Sequence, residues 1–177
     1  MQKVFFTADT HFASEAIRLY ENRPFSDAEQ MDRALIERWN SVVSAEDIVY
    51  HLGDFGATGR EAEVLSQLNG IKYLVKGNHD TQESEYYRRA GFREVYDLPV
   101  LFRGFWLLSH EPLYVNTNMP YANLFGHVHA NPMFKDFSPQ HYCVCVERTD
   151  YTPIAFEKIV RIVSENAAKN TAYSPEN

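Results

Sequence analysis

Tyr73-Leu74-Val75-Lys76-Gly77-Asn78-His79-Asp80 is a short apolar run that reads as a buried strand and stops at a glycine. Directly after that glycine stand three side chains able to ligate, protonate and orient. Open α/β sheets place their chemistry at the C-terminal ends of such strands. Asn-His-Asp is also ordinary turn composition, so one occurrence decides little. The same event recurs, however. Val4 to Ala8 ends in Asp9-Thr10-His11, and Ile48 to Leu52 ends in Gly53-Asp54. Phe105 to Leu108 ends in Ser109-His110, and Asn123 to Phe125 ends in Gly126-His127-Val128-His129. Five runs deliver His, Asp or Asn to what reads as one rim.

The 177 residues suffice for one domain with a full core and are too few for two comfortable ones. Apolar content of 45% with 23% charged residues excludes a disordered or collagen-like class. A formal charge of -7 argues against a general duplex-binding surface, which would cluster Lys and Arg, but leaves room for a local positive site. The opening apolar run is too short for a secretory core and ends in Asp9, and no run approaches a membrane span. Cys143 and Cys145 alternate on one strand face, where a mutual bond would be strained. They read as small apolar residues of a reduced compartment, so a cytoplasmic location is expected, with no membrane partner.

Along the chain, residues 14–20 suit a short helix that Pro24 prevents from continuing. Ser26-Asp27-Ala28-Glu29 and Thr58-Gly59-Arg60-Glu61 both carry capping-box spacing. The first box opens a helix with Met31, Leu35, Trp39 and Val42 facing the core; the second opens one with Val64, Leu65 and Leu68 inward. A strand at 71–76 and a helix near 82–90, ended by Gly91, extend the order to β-α-β-α-β-α, which calls for parallel strands. Val95 to Leu108 reads as two strands turning at Arg103-Gly104, with further strands near 122–126 and 142–146. Thr152-Pro153 reads as N-cap and first residue of a last helix bearing Phe156, Ile159, Val160 and Val163. The expectation is a single domain over 1–168, two sheets face to face with helices outside, and a polar tail over 169–177.

Asp9 and His11 stand two apart, as do His127 and His129, so each pair points to one side of an extended backbone. Asp54, Asn78 and His110 arrive singly. Oxygen and imidazole ligands without thiolate suit Mn, Fe, Zn, Ni or Co. Seven ligands are too many for one ion with an open position; with one carboxylate bridging, two ions each receive four. Two ions roughly 3.5–4 Å apart clamp the attacking and leaving oxygens of an in-line displacement at phosphorus. Such a centre carries about +2, or about +1 once a bridging hydroxide is counted, and draws a phosphate. His79 is suited to give a proton to a leaving alkoxide, and Asp80 to orient or charge that imidazole.

With these motifs the chain resembles the calcineurin-like metallophosphoesterase family. That family carries Asp-x-His, Gly-Asp, Gly-Asn-His-Asp/Glu, a lone His and Gly-His-x-His in this order. Here they stand as Asp9-Thr10-His11, Gly53-Asp54, Gly77-Asn78-His79-Asp80, His110 and Gly126-His127-Val128-His129. The resemblance runs from Val4 to about Glu157 and implies an α/β fold, the four-layer αββα sandwich of two mixed sheets with the metal site at strand C-terminal ends. It implies one ion on Asp9, His11, Asp54 and His129 and another on Asp54, Asn78, His110 and His127. Asp54 would bridge, manganese would be the foremost metal, and His79 would donate the proton.

The departures narrow the expectation. Asp54-Phe55-Gly56-Ala57 lacks the arginine that phosphoprotein phosphatases place after the bridging Asp, and the chain has no room for the cap domains of nucleases and nucleotidases. What remains is similar to small single-domain bacterial or phage phosphoesterases acting on a small phosphate ester, with diester cleavage favoured over monoester. The alternative is a catalytically silent metal-binding interaction module, which would have no need of His79-Asp80 beside all seven ligands. Around the site, His51 reads as a core histidine or a partner of the ligands, His141 as surface and Arg60 as a solvated helix residue. Asn116 and Asn118, on the loop from Glu111 to Pro120 that follows His110, and Tyr121 directly after it read either as ordinary loop polarity or as substrate contacts.

Overall fold

Successive strand residues point to opposite faces, and in the first strand both faces are covered: Phe5 joins one apolar core, Val4 and Phe6 another. The computed structural model describes residues 2–116, 118–132 and 138–171. Strand β1 (Val4–Thr7) leads to helices α1 (Glu15–Tyr20) and α2 (Ala28–Val42). Next come β2 (Ile48–His51), α3 (Glu61–Gln67), β3 (Ile71–Val75), α4 (Ser84–Ala90) and β4 (Glu94–Tyr96). Strands β5 (Val100–Phe102), β6 (Trp106–Leu108), β7 (Ala122–Phe125) and β8 (His141–Cys143) follow. A 3-10 turn at Val146–Arg148, strand β9 (Ile154–Ala155) and helix α5 (Phe156–Thr171) complete the described chain.

Two mixed sheets form, with flanking helices, as the α/β αββα expectation required. The first has the order β4-β3-β2-β1-β9 and the second β5-β6-β7-β8. Strands β1 to β4 run parallel and β9 antiparallel to β1; in the second sheet only the β5–β6 pair is antiparallel. Parallel strands align their C-terminal ends, so the chemistry-bearing loops gather on one side. On one face of the first sheet Phe5, Val49, Leu74 and Val95 pack against Met31, Leu35 and Trp39 of α2 and Val64 and Leu65 of α3. Burying Met31 or Leu35 contributes about 1.5–3 kcal/mol each. On the other face Val4, Phe6 and Val75 meet Trp106, Leu108, Ala122 and Leu124 of the second sheet, joined by Phe156, Ile159 and Val163 of α5. No helix among the described residues is long and apolar enough to cross a membrane.

Several local expectations are corrected by tertiary contacts. Thr152-Pro153 does not open the last helix: Ile154 and Ala155 instead pair antiparallel with Phe6 and Phe5, and the helix starts at Phe156. Covering the open edge of β1 outweighs the cap signal. Helix α5 also continues to Thr171, into the expected tail, whose residues from 172 onward lie outside the described residues. The region 95–108 yields three strands, because the chain leaves the first sheet after Tyr96 and enters the second only at Val100, past Pro99. The cap of α2 is Asp27, which accepts from Gln30 N at 2.7 Å, one residue later than read. Helix α3 has no side-chain cap; Glu61 accepts from Tyr86 Oη at 2.7 Å instead of turning back to Thr58. Val42 is exposed and Val43 takes its place in the core. β8 ends at Cys143, short of the expected 146, and both cysteines are buried and free.

His141 is buried, not on the surface. Its Nε2 donates to Leu113 O at 2.7 Å while Nδ1 meets Ser138 Oγ at 2.8 Å. Asn123 and Gln140 do the same work nearby: Asn123 Oδ1 accepts from Leu113 N, and Gln140 Nε2 donates to Met119 O and Tyr121 O. A loop laid against a sheet leaves backbone polar groups that must find partners, and these three side chains supply them.

Candidate metal centre

Asp9 and His11 follow β1, Asp54 follows β2, and Asn78, His79 and Asp80 follow β3. His110 follows β6, and His127 and His129 follow β7. All stand at C-terminal strand ends, but the turns that carry them are strained. Asp9, His11, Asp54, His127 and His129 have φ of 60°, 47°, 59°, 69° and 48°. The left-handed region costs an L-residue about 1–2 kcal/mol, and strain of this kind persists where the surroundings over-determine it. Here the loops brace one another: Asp9 N donates to Gly53 O at 2.9 Å, His11 N to Asp54 O at 3.0 Å and Phe12 N to Phe55 O at 2.9 Å.

Asp80 completes the brace, in place of the role beside His79 read from sequence. Its Oδ2 accepts from Asp54 N at 2.7 Å and Gly77 N at 2.8 Å, and its Oδ1 from Phe55 N at 3.1 Å. The carboxylate therefore shapes the backbone that presents Asp54. Burial raises its pKa against the lowering effect of these amides. Gly77 is required by the same closeness: a Cβ there would overlap Asp54 Oδ1 and lie 2.6 Å from Asp54 N. A Cβ on Gly126 would lie 2.5 Å from Asp9 Oδ2, the atom that accepts from His127 N.

Seven side chains converge. Asp54 Oδ2 lies 3.5 Å from both His11 Nε2 and His110 Nε2, between the two halves of the cluster. On one side His129 Nε2 is 3.7 Å from Asp9 Oδ1. On the other, Asn78 Oδ1 lies 3.0 Å from both His110 Nε2 and His127 Nδ1. Two overlapping groups, Asp9–His11–His129 and Asp9–Asp54–His110, each bring three ligand atoms within 4.8 Å of one another.

The unsatisfied atoms of the donor set fit divalent ions. Asp9 Oδ1 and His11 Nε2 are buried without a hydrogen-bond partner, a costly state for polar groups. His110 Nδ1 meets Leu52 O at 2.9 Å, so a neutral ring carries its proton there and turns the Nε2 lone pair toward Asn78 Oδ1 and His127 Nδ1. These three atoms lie within 3.2 Å of one another, a close set of nitrogen and oxygen donors. Burial pushes the Asp9 carboxyl up to about 6, against the opposing charge of His129. Burial, with the charges of His129 and Arg23, pushes His11 down to about 2 and keeps it neutral, as a metal ligand requires. For His129 burial opposes protonation, but the hydrogen bond to Glu147 and the charge of Asp9 outweigh it and raise the pKa to about 9.

His79 stands apart from this set. Its backbone N donates to Asp54 Oδ1 at 2.8 Å, while its ring is exposed and lies edge-on to His11, 5.2 Å between centroids. A cleft of about 250 Å³ opens beside the cluster, lined by Asn78, His110, Lys76, Leu98, Glu111 and Leu113 among others. Larger grooves of about 450 and 560 Å³ are lined by none of the seven. His51 is fully buried, and its Nε2 donates to Thr10 Oγ1 at 2.9 Å, which in turn donates to Phe55 O. Arg60 is exposed and paired with Glu63. Asn116 Oδ1 accepts from Asn118 N, a bond within the loop.

Two residues at the centre were not legible in sequence. Arg23, buried between α1 and α2, donates to Asp9 O at 2.6 Å and Thr10 O at 2.8 Å. Glu147, in the 3-10 turn after β8, accepts from Arg23 Nη2 at 2.6 Å and from His129 Nδ1 at 3.0 Å. Neither belongs to a motif or a periodic stripe, and loops carry no pattern that marks a buried pair.

Residues 2–142 match the calcineurin-like phosphoesterase family. The uncharacterized protein MJ1445 of Methanocaldococcus jannaschii is 33% identical over 181 residues, spanning 97% of each chain. The gene 66 protein of Mycobacterium phage D29 is 29% identical over 143 residues, 77% of this chain and 64% of the phage protein. The crystal structure of AQ665 from Aquifex aeolicus, a protein of unknown function, aligns with a TM-score of 0.69 at 27% identity, over 92% of this chain and 100% of that one. Since the matched segment carries every candidate ligand from Asp9 to His129, and the fold brings them to one rim, this chain belongs to the calcineurin-like phosphoesterases.

Proposed function

We propose that the protein hydrolyses a small phosphate ester at a centre of two divalent transition-metal ions. The observation that carries the reading is Asp54 Oδ2, equidistant at 3.5 Å from an imidazole of each half of the cluster. Asp9, His11, Asp54 and His129 would hold one ion and Asp54, Asn78, His110 and His127 the other. Manganese is the first choice; iron, zinc, nickel and cobalt suit the same O and N donors. When bound, such ions supply an activated water and charge stabilisation at phosphorus. The protein's own part is positional: Asp80 fixes the Asp54 backbone, the turns aim the imidazoles, and His79 gives a proton to the departing oxygen.

Phosphodiesters are favoured over monoesters, because the nearest fixed cations are committed. Lys76 pairs with Asp97 at 2.9 Å and Arg23 with Glu147 at 2.6 Å, and Glu111 adds a carboxylate to the cleft. Neither of these two cations is left to hold a dianion. The free buried thiols of Cys143 and Cys145 support a reduced, cytoplasmic setting. No partner beyond a small ester is proposed, neither duplex nucleic acid nor membrane.

The test is a panel of phosphomonoesters and phosphodiesters assayed with Mn, Ni, Zn and Mg, alongside elemental analysis. Two ions per chain and turnover of at least one ester are expected, and Asp54→Ala should lose most of both ions. Two ions without turnover of any ester would leave the silent binding module standing. One ion, or an unaffected second site in Asp54→Ala, would remove the bridge.

A further inference from the structure

The two halves of the cluster are backed by different chemistry. His110 leans on the carbonyl of Leu52 at 2.9 Å, a neutral acceptor. His129 leans on a carboxylate, Glu147 Oε1, at 3.0 Å. That carboxylate is itself anchored by Arg23, whose Nε and Nη2 donate to the same oxygen at 2.9 and 2.6 Å. The pair is almost wholly out of water, with side-chain exposures of 0% and 4%. The guanidinium also grips the backbone on either side of the Asp9–Thr10 link, at Asp9 O and Thr10 O. One ion pair thus fixes both the turn that carries Asp9 and His11 and the ring of His129.

Glu147 reaches this place because the chain after β8 crosses to the first sheet. Ala8 N donates to Val144 O, and Val146 N to Ala8 O, each at 3.1 Å. A third carboxylate, Glu21, stands near His129 and Glu147, but with Arg23 on Glu147 that trio already holds its cation.

A carboxylate behind a ligating imidazole fixes its tautomer, orients it and makes it a stronger donor, typically by about 10–100-fold in metal affinity. We infer that Arg23 and Glu147 are positioning residues that make the two ion positions unequal, the Asp9–His11–His129 position being the tighter and the first to fill. This rests on the two-ion reading above. It adds an order of loading and assigns that order to two residues outside every motif.

The experiment is a calorimetric titration of Mn into metal-stripped full-length protein, with Co as a spectroscopic probe in a parallel series. Wild type should show two resolved dissociation constants. Glu147→Gln keeps an acceptor for His129 Nδ1 but removes the charge. It should weaken the tighter constant by about 10–100-fold and leave the weaker one in place, with a changed cobalt absorption spectrum. His127→Ala should instead weaken the looser constant, which assigns the sites. Because Glu147→Gln leaves the buried Arg23 charge unpaired, the double variant Arg23→Met/Glu147→Gln provides the same test with neither charge present. A general loosening of the fold would weaken both constants together, and that result, or two unchanged constants, would overturn the inference while leaving two ions in place. Fewer than two ions on the wild type would instead overturn the two-ion reading itself.

Discussion

His79 and Asp80 are adjacent in sequence yet differently placed, one ring exposed and the other side chain buried in the brace, and substitution should separate them. His79→Ala removes an exposed ring that makes no bond to the brace, so fold and metal content should persist. The rate should fall by on the order of 10²–10⁴ for alkyl esters and much less for nitrophenyl esters, whose leaving group needs no proton. Loss of a metal, or equal losses on both substrates, would return His79 to the ligands. Asp80→Asn should behave otherwise. An amide nitrogen would face a backbone N–H, and an unsatisfied buried donor costs about 1–3 kcal/mol. Urea denaturation should report that cost, and the rate loss should not depend on the leaving group. His51 offers a pH signature. Burial, then the charge of His110, pushes its pKa from 6.5 down to about 3, so the unfolded chain binds the extra proton between those values. Stability should therefore fall as pH drops below 6.5, by up to about 1.4 kcal/mol per pH unit. His51→Gln keeps a donor for Thr10, and the stability gap between wild type and this variant should narrow over that window.

At the level of elements, the strand ends were readable because each couples a short apolar run to a polar turn, and a parallel sheet aligns such ends by construction. Asp80 marks the limit of that reading: sequence adjacency suggests contact with His79, whereas the turn directs the carboxylate to Asp54, Phe55 and Gly77. Capping signals misled at Ser26, Thr58 and Thr152, where a neighbouring acid, a tyrosine on another helix and an open strand edge each offered a better partner. The cap that formed gives a direct check. Asp27→Ala should destabilise the protein by about 0.5–2 kcal/mol, and Ser26→Ala by clearly less; the reverse order would restore the sequence reading. The glycine turns give another. Gly77→Ala pushes a methyl into Asp54, so bound metal measured by elemental analysis should fall sharply even where circular dichroism shows the sheets intact.

For the molecule as a whole, the strained ligand turns and orphaned atoms mean that the metal-free fold gives up stability that ions restore. A ligand that binds only the folded state adds about 2.7 kcal/mol at a concentration one hundred times its Kd. Chelation should therefore lower Tm and manganese raise it, and an unchanged Tm would indicate a centre rigid without ions. The segment that closes the first sheet has a further consequence, one of timing. During translation every ligand through His129 leaves the ribosome before Glu147, β9 and α5. Until then β1 has an open edge and the ring of His129 lacks its carboxylate. A nascent chain thus presents its histidines before the carboxylate that meets His129 and the strand that covers the β1 edge.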